Sequence, residues 1–575
     1  MKYFLDLEVY TDYFLASFKR EDGKIKHFEK FEGYPLNIIS IKKLLRKGTF
    51  ITFNGNRFDM PVLALALNGG RNDQLKKLSD SIIDGAKTWD MEVPACNHID
   101  IKEPSPGVMT SLKIYGGRIN APKLQDLPID PSSLITPQQR EELKTYCVND
   151  LDTTEMLYNE IIKQIELREK LTEKYGVDMR SKSDAQVAEA IIRQYLTECG
   201  VKVKKRQSEV KPFKYRVPAW VKFKSPEFKE MLQRVKDCTF SINDKGSVLM
   251  PKELNKAVEY SGAKYKFGIG GLHSQEKKQR VAPDDSQLFG EFDVASMYPS
   301  IIIEQELYPK HLTPKFLDVY STIKNERLTA KRAGDSVKDK TYKIVLNGSY
   351  GKFGSKYSFL YSPELLIQTT ITGQLSLLML IEKMTLAGGR VVSANTDGVN
   401  VLYSKTDMPV IHNAAFDWEL STGYELEYTP YLATYNRDVN NYLAIKESGV
   451  KGKGAYAIGG LMKNPCNNVC VEAVISHLCE GSDIETHIRN EQEETKFLTL
   501  RRVTGGAVFE GEEIGKAIRF YHSTTGTVIT YKKNGNKVPK SDGCRPLMNL
   551  DKFPEDLNYQ WYIDEAHSIL EDLGV

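Results

Sequence analysis

Asp6 and Glu8 stand two residues apart in the opening run MKYFLDLEVY, Asp59 closes the segment Phe53-Asn-Gly-Asn-Arg-Phe-Asp59, and Tyr146 and Asp150 are four apart in YCVND. In a strand, a spacing of two sends both acids to one face; in a helix, a spacing of four does the same for Tyr146 and Asp150. Four carboxylates and a tyrosine on separate elements can converge on two divalent cations. Hydrolysis of a phosphodiester by two cations needs such a set, one ion generating hydroxide and the other stabilising the leaving oxygen. Taken singly, an Asp-x-Glu pair on a strand is more often surface charge, and Tyr-x-x-x-Asp says little. Their order, strand then strand end then helix, carries the weight.

A second constellation lies further along. Phe292-Asp293-Val294-Ala-Ser296-Met297-Tyr298-Pro-Ser-Ile301 reads as a strand end, a turn and a helix start. That places an acid beside free backbone N–H groups, where a cation-bound triphosphate can sit. In Lys343-Ile-Val-Leu-Asn347-Gly348-Ser-Tyr350-Gly351, residues 343, 347 and 350 share one helix face. Val391–Tyr403 reads as a β-hairpin with Asp397 at its tip.

These residues need a large framework. The 575 residues suffice for about three to five domains. With 41% apolar and 27% charged residues the chain reads as globular, and its net charge of +3 neither favours nor excludes nucleic acid as a partner. The first segment alternates strand-like runs (Tyr3–Tyr10, Thr49–Phe53) with a helical one, Glu141–Glu166, which is an α/β pattern. Ser183-Asp184 opens an amphipathic helix, and residues 320–350 read as helix broken near Gly334-Asp335. Between Lys202 and Lys224 nine Lys or Arg face one acid, Glu209, interleaved with Phe213, Tyr215, Trp220 and Phe223; this suits a phosphate backbone or a solvated loop equally. Cys466 and Cys470 lack a partner pair at zinc-ribbon spacing, so the eight cysteines are expected as reduced thiols. The acidic N-terminus is no signal peptide, and no apolar run is expected to span a membrane.

DLE, NGNRFD and YCVND resemble, in order, the three exonuclease motifs of the proofreading domain of B-family DNA polymerases. The resemblance implies cation-ligand roles for Asp6, Glu8, Asp59 and Asp150, an orienting role for Tyr146 on the attacking water, and a grip on a frayed primer end for Asn54 and Phe58. Residues 292–301 resemble motif A, D-x-x-S-L-Y-P-S-I, with Met297 for Leu. This implies that Asp293, with the Val294 carbonyl, binds both cations and that Tyr298 excludes a 2′-hydroxyl. Residues 343–351 resemble motif B, K-x-x-x-N-S-x-Y-G, with Gly348 for Ser, and imply nucleotide contacts for Lys343, Asn347 and Tyr350. Arg327, in Glu326-Arg327-Leu-Thr-Ala-Lys331, matches a phosphate-binding arginine. Val391–Val401 resembles motif C, Y-x-D-T-D-S; Asp397 is retained, while Ser393, Asn395 and Gly398 replace Tyr, the first Asp and Ser. Phe267-Gly-Ile-Gly270-Gly271 sits where the family has a Y-x-G-G turn near the template. Asn440-Asn441-Tyr442 sits where K-K-Y is usual, so the primer-binding lysine is missing, with Lys451 and Lys453 nearby to contact phosphate. Gly515–Tyr521 resembles part of a thumb that grips duplex.

The resemblance, which spans residues ~3 to ~525, implies an α/β and α+β multidomain fold: an RNase H-like 3′→5′ exonuclease domain (1–180), a basic intervening segment (181–265), palm (266–315), fingers (316–355), palm again (356–445), and thumb with C-terminal region (446–575). It further implies template-directed DNA synthesis from a primer with dNTPs and proofreading, with two Mg²⁺ or Mn²⁺ per active site. The intervals from Asp293 to Lys343 and from Asn347 to Asp397, 50 residues each, leave no room for the insertions of protein-primed replicases. A compact phage-type replicase is therefore expected, cytoplasmic in an infected bacterium, with no membrane partner and with a clamp, helicase or single-strand-binding protein as candidate partners. The competing reading is a 3′→5′ exonuclease whose polymerase half has decayed, motivated by motif C. A non-enzymatic DNA-binding factor would leave the acids unexplained.

Overall fold

The apolar alternation of the first ten residues forms a central strand, β1 (Lys2–Val9), in a five-stranded sheet of order β3-β2-β1-β4-β5. Its partners are β2 (Phe14–Arg20), β3 (Ile25–Lys30), β4 (Thr49–Thr52) and β5 (Asn97–Asp100). β1 runs antiparallel to β2 and parallel to β4. The computed structural model describes every residue except positions 89, 108, 109, 551 and 553.

Both faces of β1 are buried, each against a different set. Tyr3, Leu5, Leu7 and Val9 share a core with Phe14, Phe18, Phe50 and helix α2 (Asp59–Leu67); helices α1 (Ile38–Leu45) and α3 (Asn72–Ile83) complete that side. Phe4 packs on the other face with Ile51, Ile99, Leu151 and Leu157. Leu151 and Leu157 belong to α5 (Pro137–Glu160), which follows the short α4 (Leu112–Arg118). Since side chains alternate across a strand, Asp6 and Glu8 share the face of Phe4. A capping box between Thr136 and Gln139, with Pro137 at the first helical position, starts α5. The expected single helix 141–166 is in fact two, with α6 (Ile162–Tyr175) beginning after Ile161.

The chain divides into two compact units, Met1–Ser183 with Ile458–Ala566, and Asp184–Ala457 with His567–Val575. The second unit opens with α7 (Asp184–Glu198), α8 (Pro226–Asp237) and a small hairpin, β6 (Ser241–Ile242) and β7 (Val248–Leu249). Then come β8 (Val258–Tyr260), β9 (Ala263–Phe267), β10 (Leu272–Ser274), β11 (Gln279–Val281) and β12 (Gln287–Val294). Helices α9 (Met297–Glu304), α10 (Lys315–Arg332), α11 (Ser336–Lys352) and α12 (Pro363–Leu386) follow. The hairpin β13 (Arg390–Thr396) and β14 (Gly398–Ser404), helix α13 (Met408–Thr422), and strands β15 (Leu426–Pro430), β16 (Ala433–Asp438), β17 (Asn441–Lys446) and β18 (Gly449–Lys453) complete it. Seven strands form one sheet, β15-β12-β14-β13-β10-β9-β8, and four another, β11-β16-β17-β18.

Two expectations change here. By length and composition α12 could cross a membrane, contrary to the reading that no run reaches that length, but 83% of its apolar window is buried inside the protein. It is the core helix of this unit, its Leu375, Leu378 and Ile381 packing with Phe292, Val399 and Trp418. The basic stretch 202–224 does not offer its aromatics to bases. Tyr215, Phe223, Phe213 and Trp220 pack into or against the same core, and the Tyr215 hydroxyl bonds to Thr372 at 2.9 Å.

The segment Ile458–Ala566 holds α14 (Asn468–Glu480), α15 (Ile484–Asn490) and a three-stranded sheet of β19 (Thr499–Phe509), β20 (Glu512–Tyr531) and β21 (Lys537–Pro546); α16 spans Tyr559–Leu573. Gly117 of α4 admits Leu500 so closely that a Cβ would lie 2.3 Å from Leu500 Cδ1. Arg519 is 1% exposed and donates to the carbonyls of Ala121, Pro122, Leu547 and Met548. It cannot serve the duplex grip expected of Gly515–Tyr521, because its guanidinium is consumed in pinning this sheet to the α4–α5 connection.

Candidate active sites

In the first unit Asp6, Glu8, Asp59, Asp150 and Tyr146 come together. β1 presents Asp6 and Glu8 side by side, and α5, lying on that face, supplies Tyr146, Cys147 and Asp150. Asp59 opens α2, and the turn before it requires Gly55, where a Cβ would fall 2.0 Å from Thr52 Oγ1. Asp59 is 3% exposed and Glu8 8%. Burial first, then the neighbouring Asp150 charge, pushes Asp6 up to about 7. Burial and Asp6 hold Glu8 well above the usual carboxylate range; the same two causes act on Asp59. Asp150 is raised by burial and relieved by Lys113 and Tyr146. Cys147 Sγ lies 3.4 Å from Asp6 Oδ2, and burial keeps it a thiol.

Two positions that the sequence pattern did not single out complete this site. Lys113 Nζ donates to the Tyr146 hydroxyl at 2.5 Å and lies 3.6 Å from Asp150 Oδ2. Asp100, 3% exposed at the end of β5, accepts from the backbone N–H of Asn54 (2.8 Å), Asn56 and Lys102 (both 3.0 Å), so it shapes the turn ahead of Asp59. Asn54 accepts from Lys102 Nζ at 2.9 Å, and Phe58 is half-buried against the core. The four carboxylates outweigh the charge of Lys113 and supply a donor set of oxygens, with the Cys147 thiol beside Asp6 and Glu8. That fits hard divalent cations of the Mg²⁺ or Mn²⁺ type.

In the second unit Asp293 is the penultimate residue of β12, with Gly398 of β14 on one side and Glu427 of β15 on the other. The Val294 N–H donates to the Asp397 carbonyl at 2.8 Å, locking the two aspartates together. Burial, then Asp397 and Glu291, raises Asp293 to about 7. Asp397 is raised by burial and by Glu291. Asp293, the adjoining Val294 carbonyl and Asp397 again form an oxygen donor set suited to a hard cation. Glu291, two residues before Asp293, is a third carboxylate that the sequence reading left out.

Each position that departs from the motif patterns makes a local contact. Met297 is buried and fills the space over Gly373 of α12, where a Cβ would sit 2.3 Å from Met297 Cε. Gly348 lets α11 cross α7, since a Cβ there would be 3.2 Å from both Ala185 and Ala188. Ser393 donates to Glu276 at 2.6 Å. Asn395 Nδ2 donates to the Val439 carbonyl at 2.9 Å. At Gly398 a Cβ would stand 3.0 Å from Asp293 Oδ1 and 3.2 Å from Glu291 Oε1, so a side chain there would crowd both carboxylates.

Lys343 and Asn347 are exposed on one face of α11 with the half-buried Tyr350. The Tyr350 ring stacks on Tyr298, centroids 4.0 Å apart, and the Tyr298 hydroxyl donates to the Gly270 carbonyl. Gly271 lies against the hairpin turn, a Cβ there being 3.0 Å from Thr396. Arg327 reaches Ser296 at 2.7 Å and Asp339 at 3.1 Å, so it faces the turn after Asp293 from α10. Tyr442 is buried beneath Lys453, whose Nζ is 5.8 Å from its ring centroid, and Lys451 is on the same strand as Lys453.

No family model matches the chain. No curated protein matches it either. Among solved structures it is similar to the family B DNA polymerase from the hyperthermophilic archaeon Pyrobaculum calidifontis, at 13% identity and a TM-score of 0.43, over 100% of this chain and 77% of that one.

Proposed function

We propose that the chain is a B-family-type DNA polymerase of the compact phage kind, extending a primer 3′-hydroxyl with dNTPs at the Asp293/Asp397 site and removing misincorporated nucleotides at the Asp6/Glu8/Asp59/Asp150 site. One observation carries the reading: Asp293 near the end of β12 and Asp397 in the turn that leads into its partner β14, far apart in sequence, are tied by the Val294 N–H. Lys343, Tyr350 and Tyr298 are the residues of this unit suited to a triphosphate, a base pair and a sugar.

Mg²⁺ or Mn²⁺ held by each carboxylate set would lower the pKa of the attacking oxygen and offset charge on the phosphate. The protein's own groups do the rest. Asp293 and Asp397 gather negative charge where the triphosphate arrives, Lys343 neutralises phosphate from α11, and the stacked Tyr298 and Tyr350 shape the nucleotide's floor. In the other site, Lys113 holds Tyr146, which keeps a phenol proton because burial raises its pKa far above the ordinary value. A fixed phenol beside Asp150 can orient a water for attack. Partners on this reading are primer-template DNA and dNTPs, with a clamp, helicase or single-strand-binding protein as accessories in an infected bacterial cytoplasm.

The test is a primer-extension gel in Mg²⁺ with and without dNTPs. Elongation with dNTPs and shortening without them are expected. Shortening in both lanes would favour the alternative, an exonuclease with a decayed polymerase half.

A further inference from the structure

Glu291 is an anomaly in the synthetic site. It adds a third carboxylate to a strand end that already carries Asp293 and faces Asp397, and like charges so close are costly. Its charge is nevertheless matched by partners. Glu291 Oε2 accepts from the Tyr431 hydroxyl and lies 3.6 Å from Lys451 Nζ, while Tyr431 itself is 3% exposed. The side chain of Glu291 is 18% exposed and that of Lys451 45%, so the carboxylate is the more sheltered of the two and Lys451 stays partly open to solvent. Gly398 eases this arrangement, since a Cβ there would press on Glu291 Oε1 at 3.2 Å.

The asparagines at the usual lysine positions cannot supply the missing cation. Asn441 spends its amide on Asp438 and on the N–H of Ala455, and Asn440 is bound through its backbone to Asp438. Lys451 lies one strand over, opposite Ala444 in the β17–β18 register. Lys451 also bonds to the Tyr442 hydroxyl, and fixing its four-carbon stem costs side-chain entropy that the Glu291 carboxylate can offset.

We propose that Glu291 is a positioning residue: clamped by Tyr431, it holds Lys451 at the mouth of the Asp293/Asp397 pair, where Lys451 takes the primer-strand phosphate in place of the absent lysine. This rests on the polymerase reading. Glu291 acts through Lys451 and not on the reacting atoms. Its loss therefore falls on primer-template binding rather than on the chemical step.

The experiment is steady-state primer extension by the full chain with Glu291→Gln, Lys451→Met and the double variant, with thermal unfolding to confirm folding. Gln keeps an acceptor for Tyr431 and removes the charge. Each single variant should raise KM for primer-template about five- to tenfold, leaving kcat and KM for dNTP within about twofold. The double variant should be no worse than Lys451→Met alone, since the two residues work as one unit. Additive effects, a loss confined to kcat, or an unchanged Glu291→Gln enzyme would each overturn the inference while wild-type activity keeps the polymerase reading. An inert wild type would overturn both.

Discussion

Asn395 Nδ2 donates to the Val439 carbonyl at 2.9 Å, and its Oδ1 accepts from the Thr396 hydroxyl at 3.1 Å. Where the family pattern has an aspartate, this chain uses a donor to hold the motif C hairpin to the β16–β17 turn. Asn395 thus has a structural role in this hairpin, and on the proposed polymerase reading that role accounts for its presence. Asn395→Asp would set a carboxylate against a carbonyl oxygen with the donor gone. A loss of roughly 1–3 kcal/mol in stability is expected, with slower extension. Thermal unfolding and primer extension across a Mg²⁺ series check this. An Asn395→Asp protein as stable as wild type and needing less Mg²⁺ would instead make residue 395 a tuner of charge.

Separate carboxylate sets predict separable activities. Asp293→Ala or Asp397→Ala should lower nucleotide incorporation by roughly 10²-fold or more, the scale of removing one electrostatic stabiliser from a reacting centre, and leave primer degradation intact. Asp6→Ala with Glu8→Ala should do the reverse. Both activities are read on one labelled primer. Undiminished degradation by the Asp6/Glu8 variant would locate hydrolysis elsewhere in the chain.

The acids of the first unit also govern its stability. Burial and the Asp150 charge place the folded pKa of Asp6 at about 7, against 3.8 ordinarily. A folded pKa above the unfolded one means that the stability Asp6 contributes is full below about pH 4 and is lost as pH rises through about 7. For Asp6 the difference is roughly 4 kcal/mol at most. In EDTA at pH 8, Asp6→Asn should therefore raise Tm, and the gain should shrink toward pH 5. Mn²⁺ or Mg²⁺ should raise the Tm of the wild type at pH 8 and do less for the variant. A wild-type Tm indifferent to EDTA at pH 8 would speak against cations in this site.

Much of this is legible in sequence because period and spacing survive without tertiary knowledge. The alternation around Asp6 and Glu8 specifies a strand, and the Val391–Tyr403 run specifies a hairpin. The same rule of two places Glu291 on the face of Asp293, a relationship that the family pattern, which weights Asp293 alone, does not mark. Lys113 and Asp100 are illegible for another reason. Their partners Tyr146 and Asn54 lie 33 and 46 positions away, and only the packing of α4 against α5 and of β5 against β4 brings them together. The basic stretch misleads because composition cannot tell an aromatic that stacks on a base from one, like Tyr215, that anchors a core.

Tyr298, the floor of the nucleotide site on the proposed reading, is held twice: its ring lies within 9° of parallel to Tyr350, and its hydroxyl is bound to the Gly270 carbonyl. A ring pinned from two sides cannot yield to a 2′-hydroxyl, so exclusion of ribonucleotides should depend on the ring and its rigidity separately. Tyr298→Ala removes the ring and should raise the kcat/KM ratio of rNTP to dNTP by roughly 10²-fold, the scale of deleting one steric contact worth a few kcal/mol. Tyr298→Phe keeps the ring and the stack but frees it from Gly270, so a smaller rise, of a few-fold, is expected. Single-nucleotide extension with matched rNTP and dNTP measures both. Equal selectivity in wild type and Tyr298→Ala would remove Tyr298 from the sugar's path, and a Phe variant as permissive as Ala would make the Gly270 bond, not the ring, the element that excludes the hydroxyl.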